Sequence, residues 1–264
     1  MEKIDLTGVP ETMLQTLYAR AKESRKSNHI IYDQKAIEIV QKLDYNFLTA
    51  DKDMTMSTGV IARTILLDRM VKDYITENAY AVIINIACGM DTRFYRMDNG
   101  KITWYNLDLP ETIEVRQRFF TENGRVSMIS ASAMDEQWAK GVDALNRPVL
   151  IIVEGLTMYL TEQDVQTMLT IIDKHFINAT VFMEIMSPMV AGKVEEKSIK
   201  ASNAKFTWGA KTGKELEQLV SGLSFQIDHS LMETMPDIYP IYKIIGRIPF
   251  IRNLSNKIAV LIKK

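Results

Sequence analysis

The sequence predicts a doubly wound α/β fold, and three observations carry that expectation. From residue 81 onward, short apolar runs alternate with helical stretches, and strands separated by helices imply right-handed crossovers onto a parallel sheet. Runs such as Val149-Leu150-Ile151-Ile152-Val153 are apolar at every position, as strands buried on both faces must be. The turn Asn85-Ile86-Ala87-Cys88-Gly89-Met90-Asp91-Thr92-Arg93 follows the apolar run Ala81-Val82-Ile83-Ile84. The next strand ends in an acidic residue, Asp108, at the spacing of about 20 residues found in Rossmann-like nucleoside sites. Small residues let the backbone approach a ligand, and the acid accepts hydrogen bonds from ribose hydroxyls.

Residues 1–78 read as a helical cap. Residues 11–25 present Met13, Leu14, Leu17, Tyr18 and Ala21 on one side. Asp33 can cap a helix over 34–43, whose Ile37, Val40 and Leu43 form an apolar stripe. A third helix covers 58–74 with Ile61, Ile65 and Leu66 facing inward, and no strand signal precedes residue 81. The core, 79–186, has strands predicted at 81–86, 102–107, 126–130, 149–153 and 180–185, with helices at 110–122 and 162–175. Residues 225–229 and 257–262 supply two more strands, for seven in a mostly parallel sheet. Residues 187–264 hold those strands, further helices and a lid insertion over 187–213, which opens at Ser187-Pro188 and is strongly charged over 193–205. The whole chain, 1–264, reads as one domain.

Composition narrows the function classes. With 47% apolar residues, 25% charged and a net charge of -1, the chain is an ordinary globular protein without the basic face that nucleic acid requires. No apolar run approaches the roughly 20 residues that cross a bilayer, so no stable membrane insertion is expected. The charged start Met1-Glu2-Lys3-Ile4-Asp5 lacks an apolar signal core, and the single cysteine, Cys88, leaves no internal disulfide. A cytoplasmic location is the natural expectation. Beyond Asp237 the chain has no acid but carries Lys243, Arg247, Arg252, Lys257, Lys263 and Lys264, a solvated face or a surface for membranes or acidic substrates. The 16 methionines suit a malleable core or an apolar ligand pocket.

The strand ends indicate which nucleoside. A dinucleotide fingerprint needs three glycines, but this turn has only Gly89, with Ala87 where another might stand, and no P-loop lysine pattern exists. A pyrophosphate is poorly provided for, whereas S-adenosyl-L-methionine has no phosphate to place. Asp108 can hold both ribose hydroxyls. Asp135, after the third strand, can accept from the adenine amine, and Met134 can cover a ring face. Glu154, before Gly155, ends the fourth strand near the expected sulfonium and methionine amine. All lie at carboxyl ends of strands, where ligands of open parallel sheets bind.

These stretches carry a family resemblance. Asn-x-x-x-Gly-x-Asp-Thr-Arg-Phe-Tyr-Arg at 85–96, Trp104-Tyr105-Asn106-Leu107-Asp108-Leu109-Pro110 and Glu154-Gly155-Leu156-Thr157-Met158-Tyr159-Leu160 resemble the leucine carboxyl methyltransferase superfamily. Within it, the chain is most similar to the bacterial polyketide-type O-methyltransferases. The resemblance extends to Pro10-Glu11-Thr12, Ile61-Ala62-Arg63-Thr64 and Phe206-Thr207-Trp208-Gly209, and departs from the family where Ala87 replaces the usual first glycine. It implies S-adenosyl-L-methionine as cofactor, with Gly89 on its methionine side, Asp108 at the ribose, Asp135 near the adenine and Glu154 near the methionine amine. It also implies Arg63 as partner of the cofactor carboxylate, with Lys22 as a second candidate for that task. Ala87, Leu109 and Met134 complete the candidate cofactor set, and Tyr159 falls in a loop the family places near the active site.

The same residues carry plainer expectations. Asp91 is placed to cap the helix after the first strand, Arg93 and Arg96 to pair with nearby carboxylates, and Cys88 to be half-buried without an activating base. His29, His175 and His229 are too dispersed for a metal site. Methyl transfer is an in-line displacement governed by alignment and exclusion of water. A carboxylate acceptor needs no base, and no catalytic group stands out beyond His29, Tyr159 and an unidentified carboxylate, so a carboxylate or acidic hydroxyl of a small molecule is the expected acceptor. The alternatives are carboxyl methylation of a protein C-terminus, a nicotinamide dehydrogenase disfavoured by the single glycine, and an inactive cofactor-binding module. A homodimer is the assembly left open.

Overall fold

Two five-residue runs with every side chain buried, Val82–Ile86 and Val149–Val153, lie side by side at the middle of a seven-stranded sheet. A computed structural model describes residues 2–3, 9–191 and 206–264. Its main strands are β1 (Val82–Ile86), β2 (Thr103–Asp108), β3 (Val126–Ser130), β4 (Val149–Val153), β5 (Ala179–Ile185), β6 (Leu223–Ser230) and β7 (Lys257–Lys263). Their spatial order is β3-β2-β1-β4-β5-β7-β6, parallel except for β7, which runs antiparallel to both neighbours. This is the expected mostly parallel, doubly wound sheet. Strand order reverses between β1 and β4, and a crevice opens at such a switch point beyond the carboxyl ends.

Register sets the site. Ile86 pairs with both Leu107 and Val153, so the next residue on each strand, Ala87, Asp108 and Glu154, emerges at one level. Val153 pairs with Met183, which brings Glu184 beside Glu154.

Helices cover both faces. On one, α3 (Met54–Glu77) packs Leu66, Leu67, Val71 and Ile75 against Ile83, Trp104 and Phe94. The opposite face holds Val165, Leu169 and Ile172 of the helix Glu162–His175 with Trp138 and Phe176. The cap forms a third cluster, in which Leu14 and Leu17 of α1 (Val9–Ser24) meet Ile39 and Val40 of α2 (Gln34–Lys42) and Phe119. Asp33 caps α2 as expected, accepting from the Ala36 amide at 2.9 Å.

Several expectations change. α3 begins earlier than predicted because Asp53 caps it, accepting from Met56 N at 2.9 Å. The helix after β2, Pro110–Gln117, ends short of residue 122, and the chain then turns to bury Phe119 and Phe120. A two-residue parallel pairing of Glu2–Lys3 with Leu43–Asp44 precedes residue 81; strands that short leave no alternation to read. The charged middle of the lid, 193–205, lies outside the described residues. The chain beyond it is pinned to the turn after β4, with Thr207 N donating to Met158 O at 2.7 Å.

Four of the six C-terminal cations are engaged locally. Lys263 pairs with Asp173, Lys264 with Glu217 at 3.6 Å and Arg252 with Glu233 at 3.5 Å, while Lys257 donates to Lys211 O at 2.6 Å. That pattern fits a solvated face. No helix among the described residues is long and apolar enough to cross a membrane.

Candidate functional site

The turn after β1 places two residues, on either side of Cys88, in left-handed backbone: Ala87 at φ 53 and Gly89 at φ 45. Gly89 suits that conformation, and a Cβ there would lie 3.0 Å from Met13 Cβ of the cap. Ala87 adopts it with a strain that glycine would not have. The turn leaves the Gly89 amide free to donate to Asp108 Oδ2 at 2.7 Å, while Leu109 N donates to Asp108 Oδ1 at 2.8 Å. Burial pushes the Asp108 carboxyl above its ordinary value, and these two amides only partly oppose it.

Beside β4, a chain of buried ion pairs runs from the cap to β5. Arg20 pairs with Asp33 at 3.0 Å, and Asp33 with Arg96 at 2.9 Å. Asp68 takes both Arg96 and Arg93 at 2.8 Å. Arg93 continues to Asp91 at 2.7 Å and Glu154 at 2.8 Å. Glu154 then meets Arg63 at 2.6 Å, which reaches Glu184 at 2.9 Å. Burial opposes the charge on Glu154, but Arg63 and Arg93 outweigh it and hold that carboxyl below its ordinary range. Asp91 and Asp33 are held low in the same way, by Arg93 and by Arg20 respectively against their burial. The chain contains five carboxylates and four guanidiniums, and it therefore carries one net negative charge.

Arg20, Arg63, Asp91 and Glu154 of that chain, with Asp108 and the turn after β1, wall a cavity of about 310 Å³, within the range for small-molecule sites. Arg63, Ala87, Gly89, Asp108, Leu109, Met134, Glu154 and Tyr159 all line it, so eight of the residues singled out from the sequence meet in one place. Three others do not. Asp135 is exposed beyond Met134, and its carboxylate accepts from Gln137 N at 3.0 Å. Lys22 pairs with Asp51 at 2.7 Å, away from the cavity. His29 is exposed in the loop after α1, its ring 3.1 Å from Lys26 O.

The plainer expectations also find their places. Arg93 and Arg96 pair with carboxylates. Asp91 accepts from Arg93 N at 2.9 Å, although Thr92 holds the capping position itself. Cys88 is fully rather than half-buried, and burial pushes its thiol up, leaving it unreactive. His175 lies 2.7 Å from Glu136, and His229 lies 3.1 Å from Glu233.

Several cavity-lining positions escaped the sequence reading. Thr12, Met13, Thr16 and Arg20 of α1 line the cavity, as do Ser132 and Ala133 after β3. A second cavity shares Thr12, Thr16, Arg63, Gly155 and Tyr159 with the first. Its wall is mixed: Met56, Val60, Met158, Met186, Phe206 and Leu231 supply the apolar part, and Gln15, Thr55, Glu184 and Asn256 add polar groups. The methionine content was the available signal, because three of those wall residues are methionines.

Comparison with known proteins agrees with this architecture. The profile of the leucine carboxyl methyltransferase family matches residues 13–173. The chain is 35% identical to the tetracenomycin polyketide synthesis O-methyltransferase TcmP of Streptomyces glaucescens over 252 residues, covering 93% of this chain and 92% of that protein. It is 32% identical to the S-adenosyl-L-methionine-dependent methyltransferase dpfgK of Gibberella zeae over 247 residues, 85% of this chain and 83% of that one. A duf574 family protein from Streptomyces avermitilis shares the fold with a TM-score of 0.64 at 14% identity, over 98% of both chains. A family profile that spans most of the chain, together with relatives aligned along nearly its full length, makes this protein a member of the leucine carboxyl methyltransferase family.

Proposed function

We propose that the protein transfers a methyl group from S-adenosyl-L-methionine to an oxygen of a small-molecule acceptor, a carboxylate or an acidic hydroxyl. One observation carries the reading: two cavities meet at Arg63, Gly155 and Tyr159, one reached by the strand-end acids Asp108 and Glu154 and the other by neither of them. S-adenosyl-L-methionine, when bound, supplies the methyl group on a sulfonium. Asp108 accepts from the ribose hydroxyls, Met134 lies against the adenine, and Glu154 faces the ammonium. Among the described residues Nη2 of Arg63 has no hydrogen-bond partner, so its guanidinium still has donors for a carboxylate. The net negative ion chain favours a ligand of net positive charge, as this donor is.

The second cavity receives the acceptor. No histidine lines either cavity among the described residues, which favours an acceptor already ionised near neutral pH. The protein then contributes alignment and exclusion of water, through Tyr159 and the apolar part of that wall. TcmP is named for O-methylation in polyketide synthesis, and the same class of reaction suits these cavities. The buried lone cysteine accords with a cytoplasmic location, and sedimentation of the purified protein would test for a homodimer.

Calorimetric titration with S-adenosylhomocysteine, against NAD as control, tests the donor half. Micromolar binding of the first alone is expected. Binding of NAD instead, or of neither by folded, ligand-free protein, would remove the reading. A methyl-transfer screen over free aromatic acids, phenols and C-terminal peptides tests the acceptor half, with turnover expected among the small molecules.

A further inference from the structure

Glu184 interrupts the apolar strand Ala179-Thr180-Val181-Phe182-Met183-Glu184-Ile185 and has no exposed surface. A buried carboxylate is costly unless every lone pair is used, and here both oxygens are engaged. Oε2 accepts from Arg63 Nη1 at 2.9 Å and from Gly155 N at 2.8 Å, and Oε1 accepts from Asn256 Nδ2 at 2.8 Å. Glu184 lines only the second cavity, whereas Arg63 lines both.

The arginine's proton count is informative. Its single Nε–H goes to Glu154 at 2.6 Å, and one Nη1–H goes to Glu184. Two carboxylates on adjacent strands thus fix both the plane and the rotation of the guanidinium. The hydrogens left are one on Nη1 and two on Nη2, enough to grip a carboxylate with two hydrogen bonds. Gly155, whose amide Glu184 also holds, has φ 67 and lies against the same guanidinium, 3.7 Å from Nη1 to the site of a Cβ. Asn256 adds a third restraint from the start of β7, at the wall of the second cavity.

We infer that Glu184, supported by Asn256, is a positioning residue that aims the remaining Nη hydrogens of Arg63 at the α-carboxylate of the donor. The inference rests on the donor assignment above and extends it to a residue that does not touch the donor cavity. A purely structural Glu184 would support every ligand of that cavity equally. A positioning Glu184 affects only ligands that carry the amino-acid carboxylate.

The test compares S-adenosylhomocysteine with 5′-methylthioadenosine, which keeps the adenosine and thioether but lacks the amino acid, by calorimetry on the full chain. Glu184→Gln should weaken S-adenosylhomocysteine about tenfold or more, the scale of a charge-assisted hydrogen bond, and leave methylthioadenosine within about twofold. Asn256→Ala, a milder change that keeps the carboxylate, should shift the first ligand by about two- to fivefold and not the second. It carries the test if Glu184→Gln fails to fold by circular dichroism. Parallel losses for both ligands, or no loss for S-adenosylhomocysteine, would overturn the inference alone. Wild-type protein that binds neither ligand would overturn the donor assignment with it.

Discussion

At one end of the cavity proposed for the donor, the end assigned there to its methionine part, Glu154 has each oxygen taken by a guanidinium, from Arg63 and from Arg93. At the other end, proposed for the adenosine, Asp108 has its oxygens taken by the backbone amides of Gly89 and Leu109, with no salt bridge among the described residues. The contrast shows in the direction of their titration, since Glu154 is held below its ordinary value and Asp108 above it. The methionine end is therefore organised by charges that the fold itself needs. The adenosine end keeps a carboxylate in reserve, at a cost in desolvation that a ligand's hydroxyls can offset. Loss of a group at the first end should fall mainly on stability, and at the second mainly on affinity.

The sharpest way to break the comparison is to remove Arg93, whose side chain is only 2% exposed. Arg93→Ala leaves Asp68, Asp91 and Glu154 short of a partner, and a buried charge without compensation costs about 3–5 kcal/mol. Urea unfolding should show a loss of that size. A loss below about 1 kcal/mol would mean that the ion chain is solvated and adds little to the fold.

Asp108→Asn should do the opposite. Removing the charge should weaken S-adenosylhomocysteine by about 1.5–3 kcal/mol while the unfolding midpoint stays within experimental error of wild type. Wild-type affinity in this variant would sink the assignment of Asp108 to the ribose. A fall in stability as large as that of Arg93→Ala would abolish the distinction between the two ends.

The same distinction predicts two separate acid transitions. Asp33, Asp91 and Glu154 have lowered folded values, so their contribution is complete above the ordinary 3.8 for aspartate and 4.5 for glutamate. It is lost as pH falls through the lowered values. Asp108 is raised above 3.8, so on acidification it takes up its proton earlier, while the ion chain is still charged. That protonation favours the folded state and removes an acceptor for the ribose. Donor affinity should fall by up to about tenfold per pH unit in a window where the unfolding midpoint has not yet dropped. Calorimetry and thermal melts across one pH series check this; affinity and stability falling together would contradict it.

What was legible in the sequence follows the same division. The end proposed for the adenosine reads out directly, because Asp108 and Met134 lie at or just past strand ends where apolar runs stop, and local pattern suffices to find them. Asp135 was the exception: strand-end position alone does not distinguish a ligand contact from a turn cap. The methionine end depends on partners distant in sequence. Glu184 lies inside an apolar run and meets Arg63 only because β5 pairs with β4 in one particular register. A lone acid in a buried strand was the available sign, but its partner could not be read. Lys22 shows the converse, a cation on the right helix but turned to Asp51, whereas Arg20, two residues earlier, points inward to Asp33.

The smallest predicted effect lies between the two ends, at Ala87. Its φ of 53 places a side chain in backbone that glycine tolerates better, a strain of about 1–2 kcal/mol for an L-residue. Ala87→Gly relieves that strain but also loosens the unfolded chain, which costs about 0.4–1 kcal/mol. Relief should win by a small margin, about 0.5–1 kcal/mol, raising the melting temperature by roughly 1–4 °C for a chain of this size. Affinity for S-adenosylhomocysteine should hold, because the Gly89 amide and Asp108 keep their hydrogen bond. A more stable variant with weaker binding would show that the Ala87 methyl touches the donor. A less stable variant would show that the methyl's packing outweighs the strain, so that the turn belongs with the methionine end, where the fold and the site are held by the same contacts.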